Sequence, residues 1–193
     1  MIRASAAKNS EPAVSICWID VEASSLEPGG FPVEVAWSLP GGTVHSAMIA
    51  PAEGWCQACS WDPLAEQLHG LSRTELASRG ISPWRVARQL NEGLASEWVY
   101  CDALAFDRAW IDQIFDAAGI EPQFRLADAI QLLAKRLGEP AVAGLDCYET
   151  LLRAAMRRRP ELQSHRATDD VRLLQEMLEL ATSRTGDGRE NRR

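Results

Sequence analysis

With 193 residues, 46% hydrophobic and 24% charged, the chain has the size and composition of one ordinary globular domain. No stretch approaches the ~20 consecutive apolar residues of a membrane span, and the polar start "MIRASAAKNSEPA" has no apolar signal core, so a cytoplasmic protein with no membrane partner is expected. The net charge of −7 lends no whole-protein field to nucleic-acid binding, although a carboxylate cluster built to hold divalent cations would itself inflate that number.

Residues 1–12 read as a disordered lead, and one folded domain is expected over 13–182. "AVSICWIDV" is apolar and β-rich, a buried strand. It exits through Asp20 and Glu22, two residues apart and therefore on one face. At about 3.3 Å of rise per residue their carboxylates stand roughly 6–7 Å apart. Such a pair costs free energy unless something positive lies between them. "EPGGFP" is a turn, "VEVAWSL" an alternating second strand, "PGG" a tight turn and "TVHSAMIA" a third strand, which together predict an antiparallel meander.

The loop "PAEGWCQACSWDP" holds Cys56 and Cys59. A single CxxC supplies half of a structural zinc's four ligands, and with five cysteines in a cytosolic chain the pair reads as free thiols. Cys17, Cys101 and Cys147 sit in apolar contexts and read as small core residues. A short helix is placed at Pro63–His69. A second starts at Ser72 with Glu75 completing a capping box and stops at Gly80, and a third starts at Ser82 with Pro83.

"EWVYCDA" is a fourth strand, followed by the helix "FDRAWIDQIFDAAG" with Trp110, Ile111, Ile114 and Phe115 as its apolar stripe. "FRLADA" is a fifth strand and "IQLLAKRLG" a helix. The helix "LDCYETLLRAAMRR" ends near Arg157, Arg158 and Arg159, read as a solvated helix end or as substrate-facing cations. "TDDVRLLQEMLELA" is the last helix, with Val171, Leu174, Met177 and Leu178 on one face, and a polar tail runs over 183–193. The order predicts an α/β domain: a mixed five-stranded sheet, antiparallel meander plus parallel strands, with helices on both faces.

Three segments place acid or histidine where a core would not. They are Asp20 with Glu22, Asp107 at the start of the helix after strand four, and His165 with Asp170 at the opening of the last helix. Taken singly, each acid reads equally well as a solvated strand end or a helix-start residue favoured by the dipole. Ligand crevices form outside the carboxyl ends of parallel strands where topology switches, and strands one and four are the natural pair there. Four carboxylates meeting in that crevice are hard oxygen ligands for two Mg²⁺ or Mn²⁺ ions. His165 is of the residue type best suited to take a proton from an attacking water near neutral pH. His45 and His69 read as structural or surface residues.

"IDVEASSL", "DALAFDRAWI" and "HRATDDV", in this order, resemble the three motifs of the DEDDh 3′–5′ exonucleases. That family has a ribonuclease-H-like fold and includes proofreading subunits, RNase T and oligoribonucleases. "PVEVAWSL", "LHGLS" and "LADAIQLLAKRL" resemble its intervening segments. The resemblance implies hydrolysis of single-stranded DNA or RNA, or of short oligonucleotides, from the 3′ end, with release of nucleoside 5′-monophosphates and possible homodimers. It implies that Asp20, Glu22 and Asp170 bind one ion, Asp20 also the second, Asp107 through the ions' water shell, and that His165 is the general base. It places Ala23, Ser24, Ser25 and Leu26 along the terminal nucleotide, with Phe106 and Trp110 able to touch the substrate and Trp110 favoured as core.

Two departures stand out: Ser25 where many members have Gly, and Asp102 and Ala103 where many have His-Asn. They leave open a second reading, a nucleic-acid-binding or regulatory module that kept the fold without the activity.

Overall fold

Strand β1 (Cys17–Ala23) lies at the centre of a five-stranded sheet of order β3-β2-β1-β4-β5 in a computed structural model that describes residues 16–55 and 60–190. The lead over 1–12, Cys56 and Cys59 lie outside the described residues. β2 (Pro32–Ser38) and β3 (Val44–Met48) run antiparallel to their neighbours, while β4 (Trp98–Cys101) and β5 (Arg125–Asp128) run parallel to β1. This is the predicted meander extended by crossovers, a mixed α/β sheet of ribonuclease-H-like form.

The two faces follow from alternation along β1. Cys17, Ile19 and Val21 join Val35 and Trp37 of β2 in a core closed by α3 (Pro83–Leu94) and α4 (Leu104–Ala118). Trp18 and Ala36 point the other way, into a core shared with α5 (Ala129–Leu137), α6 (Gly144–Arg158) and α7 (Ala167–Glu190). Asp20 and Glu22 continue the Trp18 side, so the sheet aims them toward the α7 layer. Val171, Leu174 and Met177 anchor α7 there with almost no exposure. Each such side chain contributes about 1.5–3 kcal/mol of burial.

A smaller cluster of Phe31, Val33, Leu71 and Leu76 supports α1 (Pro63–His69) and α2 (Arg73–Arg79) at one end of the sheet. The Ser72–Glu75 capping box forms as predicted. Gly30 closes the turn after β1: a Cβ there would sit 2.2 Å from the Ser25 carbonyl oxygen, so no larger residue fits without shifting the loop.

Three details differ from expectation. α7 continues to Glu190, through much of the segment read as a polar tail. Cys147 is only half-buried, unlike Cys17 and Cys101. Arg158 and Arg159 are neither solvated bystanders nor free cations: both reach the buried Glu176 of α7, at 3.0 and 3.6 Å, and tie the end of α6 to that helix.

Candidate active site

The parallel β1–β4 pairing brings the carboxyl ends of both strands to one edge of the sheet. After β4 only Asp102 and Ala103 intervene before α4, whose fourth residue is Asp107. Asp170 is likewise the fourth residue of α7. Both acids therefore sit in first turns, where the helix dipole favours negative charge. Carboxylate oxygens of Asp20, Glu22 and Asp170 all lie within 4.8 Å of one another. Asp20, Glu22 and Asp107 line a cavity of about 350 Å³ together with Leu26, Phe106 and His165. Asp107 is only 2% exposed, and its Oδ2 has no hydrogen-bond partner.

Crowding and burial show in the acidities. Burial, then repulsion from Asp107, Asp170 and Glu22, holds the Asp20 carboxyl well above the usual carboxylate range. Glu22 is pushed up to about 8 by burial and by Asp170, against a lowering from Arg166. Asp107 rises to about 7 through burial and the charge of Asp102, despite hydrogen bonds from Cys101 and from the Ala103 and Val21 backbone. Asp170 also rises to about 7, chiefly by burial, although the His165 backbone N–H stabilises its charged form. Carboxyls so raised are those that gain most from a nearby cation. A set of oxygen donors with an orphaned buried carboxylate oxygen fits hard divalent ions such as Mg²⁺ or Mn²⁺.

The segment carrying His165 is shaped by its neighbours. His165 is exposed at the cavity and takes a left-handed backbone, φ 68°, uncommon outside glycine. Its N–H donates to Asp170 Oδ2 at 2.8 Å. Arg166 forks onto Glu34 of β2, Nη2 to Oε1 at 3.0 Å and Nε to Oε2 at 3.2 Å, and the Ala167 N–H donates to the same carboxylate. Glu34 is the cross-strand partner of Glu22. Like charges facing each other across a ladder repel, and Arg166 neutralises the member that the cavity does not use. The internal Glu of "PVEVAWSL" was visible in sequence, but its arginine partner, 132 residues away, was not.

Of the residues expected along a terminal nucleotide, Ala23, Ser25, Leu26 and Phe106 line the cavity. Ser24 does not. Its hydroxyl donates to the Ser60 carbonyl and accepts from the Phe31 N–H, so it ties the loop after β1 together. Trp110 lines the cavity and also packs against the core, as expected of a core residue. His69, read as structural or surface, is 2% exposed in the cavity wall. Its Nδ1 accepts from the Leu71 N–H, which leaves the proton on Nε2, and Nε2 has no partner. Its one advance signal was the "LHGLS" likeness. His45 is exposed and stacks on Trp37, as expected of a surface residue.

No protein-family model matches the chain, and no curated protein sequence matches it. Solved structures do. Exonuclease I from Methylocaldum szegediense superposes with a TM-score of 0.61 at 18% identity, over 90% of this chain and 41% of that one. E. coli exonuclease I in complex with a dA16 oligonucleotide gives 0.62 at 15% identity, over 91% of this chain and 42% of that one. A product-bound exonuclease I structure gives 0.60 at 16% identity, over 91% and 45%. The chain spans less than half the length of these exonuclease I chains. The sheet order, the helical layers and these superpositions together give this chain the ribonuclease-H-like fold that these exonuclease I structures share.

Proposed function

We propose that the chain is a divalent-cation-dependent 3′–5′ exonuclease of the DEDDh type, acting on single-stranded DNA or RNA or on short oligonucleotides. The observation that carries this reading is the meeting of Asp20, Glu22 and Asp170 within 4.8 Å, with Asp20 and Glu22 lining a nucleotide-sized cavity together with Asp107, whose Oδ2 is buried and unpartnered. It is supported by the solved exonuclease I structures of the same fold, one of them in complex with a single-stranded oligonucleotide.

Asp20, Glu22 and Asp170 would hold one ion, Asp20 would be shared with a second, and Asp107 would act through the ions' water shell. Two Mg²⁺ or Mn²⁺ ions held there would supply positive charge against the negative charge that develops on phosphodiester oxygens. His165 takes the proton from the attacking water on an imidazole nitrogen that the exposed loop turns toward the cavity. The Asp170–His165 backbone bond and the Arg166–Glu34 fork keep that loop in register with the carboxylates. Leu26 and Phe106 flank the cavity where a terminal base would stack, a sequence-tolerant contact.

The test is a 5′-labelled single strand, offered in parallel as DNA, as RNA and as a dinucleotide, with Mn²⁺. Stepwise shortening from the 3′ end supports the reading, and the relative rates name the substrate. Intact strands of every type would favour a binding module instead.

A further inference from the structure

A second cavity, of about 720 Å³, adjoins the one described above and has no role in the reading so far. The two share Ala103 and Phe106, so the half-exposed Phe106 ring stands between them. Asp102, which follows β4, and Asp128, the last residue of β5, line the second cavity together with Arg108 of α4. It therefore opens at the carboxyl ends of β4 and β5, on the same edge of the sheet where β1 presents Asp20. We propose that this cavity is the subsite for the nucleotide next to the 3′ end, and that Arg108 contacts the phosphate on the 5′ side of that nucleotide. The proposal rests on the exonuclease reading of the first cavity.

Two observations favour it over a plain surface hollow. The first is continuity. A strand whose terminal nucleotide fills the first cavity, with its scissile phosphate at Asp20, Glu22 and Asp170, has its next nucleotide one step outside, and the second cavity is reached across Phe106 and Ala103. An aromatic ring at that boundary offers a stacking surface that any base can use. The second is the state of Arg108. It is the one cation lining the cavity, and among the described residues it forms no ion pair. Its one hydrogen bond, Nη2 to the Leu126 carbonyl, is 3.5 Å long, whereas Arg158, Arg159 and Arg166 are spent on buried carboxylates. A guanidinium with free N–H donors suits phosphate oxygens. The two acids decide where the phosphate lies. Asp102 Oδ2 accepts from the Tyr148 hydroxyl of α6, and Asp128 Oδ1 accepts from the Gln131 N–H as the N-cap of α5. Both are held in the wall, and their charge opposes a phosphate, which leaves Arg108 as its place in this cavity.

The experiment compares two single strands labelled at the 3′-terminal nucleotide, one with every phosphate charged and one whose second phosphate from the 3′ end is a neutral methylphosphonate. The scissile bond and the terminal nucleotide are the same in both. The ratio of their kcat/KM values for release of the label, measured with the full chain and Mn²⁺, therefore reads the contact to that second phosphate. The parent should favour the fully charged strand by about tenfold, the scale of one charge-assisted hydrogen bond. Arg108→Gln should abolish the preference. Asp128→Asn keeps an acceptor for the Gln131 N–H and removes a like charge, so it should enlarge the preference. Label release from both strands at equal rates by the parent, or a preference that Arg108→Gln leaves unchanged, would overturn the subsite while the exonuclease reading stands. Release from no strand, DNA or RNA, would overturn both.

Discussion

The backbone N–H of His165 donates to Oδ2 of Asp170 at 2.8 Å, five residues further on, so the histidine and the last carboxylate are tied within one turn. The left-handed backbone of His165 is what makes that bond reachable and leaves the imidazole out over the cavity. In the proposed mechanism His165 transfers a proton without holding a cation. His165→Ala should therefore lower the hydrolysis rate by about 10²–10⁴, while Mn²⁺ binding measured by titration stays within a few-fold of the parent. An unchanged rate would remove His165 from the mechanism.

The Arg166–Glu34 fork predicts a stability effect remote from the chemistry. Glu34 is 3% exposed, so Arg166→Met leaves a buried carboxylate without its guanidinium. Leaving such a group unpaired costs about 1–3 kcal/mol or more. Urea unfolding should show that loss, and the double variant Glu34→Gln with Arg166→Met should recover part of it. A fully additive double variant would show that the fork carries no coupling.

Acidity sets the sign of the pH response. In the cation-free fold the carboxyls of Asp107 and Asp170 sit at about 7 and that of Glu22 at about 8, whereas the unfolded chain releases those protons near pH 4. Between those limits the folded state binds more protons than the unfolded one. The contribution of these groups is thus full below about pH 4 and falls as pH rises through about 7–8. Divalent ions compete with the same protons. Mg²⁺ should raise the melting temperature more at about pH 8 than at about pH 5.5, as differential scanning fluorimetry can read. An equal shift at both values would contradict cation binding by these carboxylates.

Phe106 is 51% exposed at the cavity, an unusual place for an aromatic ring. If a terminal base stacks on it, Phe106→Ala should weaken binding of a single strand by roughly tenfold, from the ~1–3 kcal/mol typical of base–aromatic stacking. Fluorescence anisotropy with Ca²⁺ in place of Mg²⁺ measures this without turnover.

Much of this architecture was legible in the chain because local chemistry agreed with it. The alternation in "VEVAWSL" and the Ser72–Glu75 box each fixed an element that packing then kept. The convergence of Asp20, Glu22, Asp107 and Asp170 was also readable, since a β-α-β crossover forces the carboxyl ends of β1 and β4 together. Long-range pairing was not. Nothing near Arg166 points to Glu34, nothing near Arg158 and Arg159 points to Glu176, and nothing near Tyr148 points to Asp102. These bonds depend on how helices lie across the sheet, which local periodicity does not encode. Ser24 misled for a related reason: a small polar residue after a strand suits a ligand or a loop contact equally, and here its hydroxyl joins the Phe31 N–H to the Ser60 carbonyl of the loop before α1.

Product analysis tests the whole account most directly. A single-stranded oligonucleotide labelled at its 3′-terminal nucleotide, incubated with the protein and Mn²⁺, should release that nucleotide as a 5′-monophosphate. Release should cease with EDTA and with Asp20→Ala. Cleavage that persists in Asp20→Ala, or a first product other than the terminal mononucleotide, would contradict the cation-held, 3′-end chemistry assigned to this site.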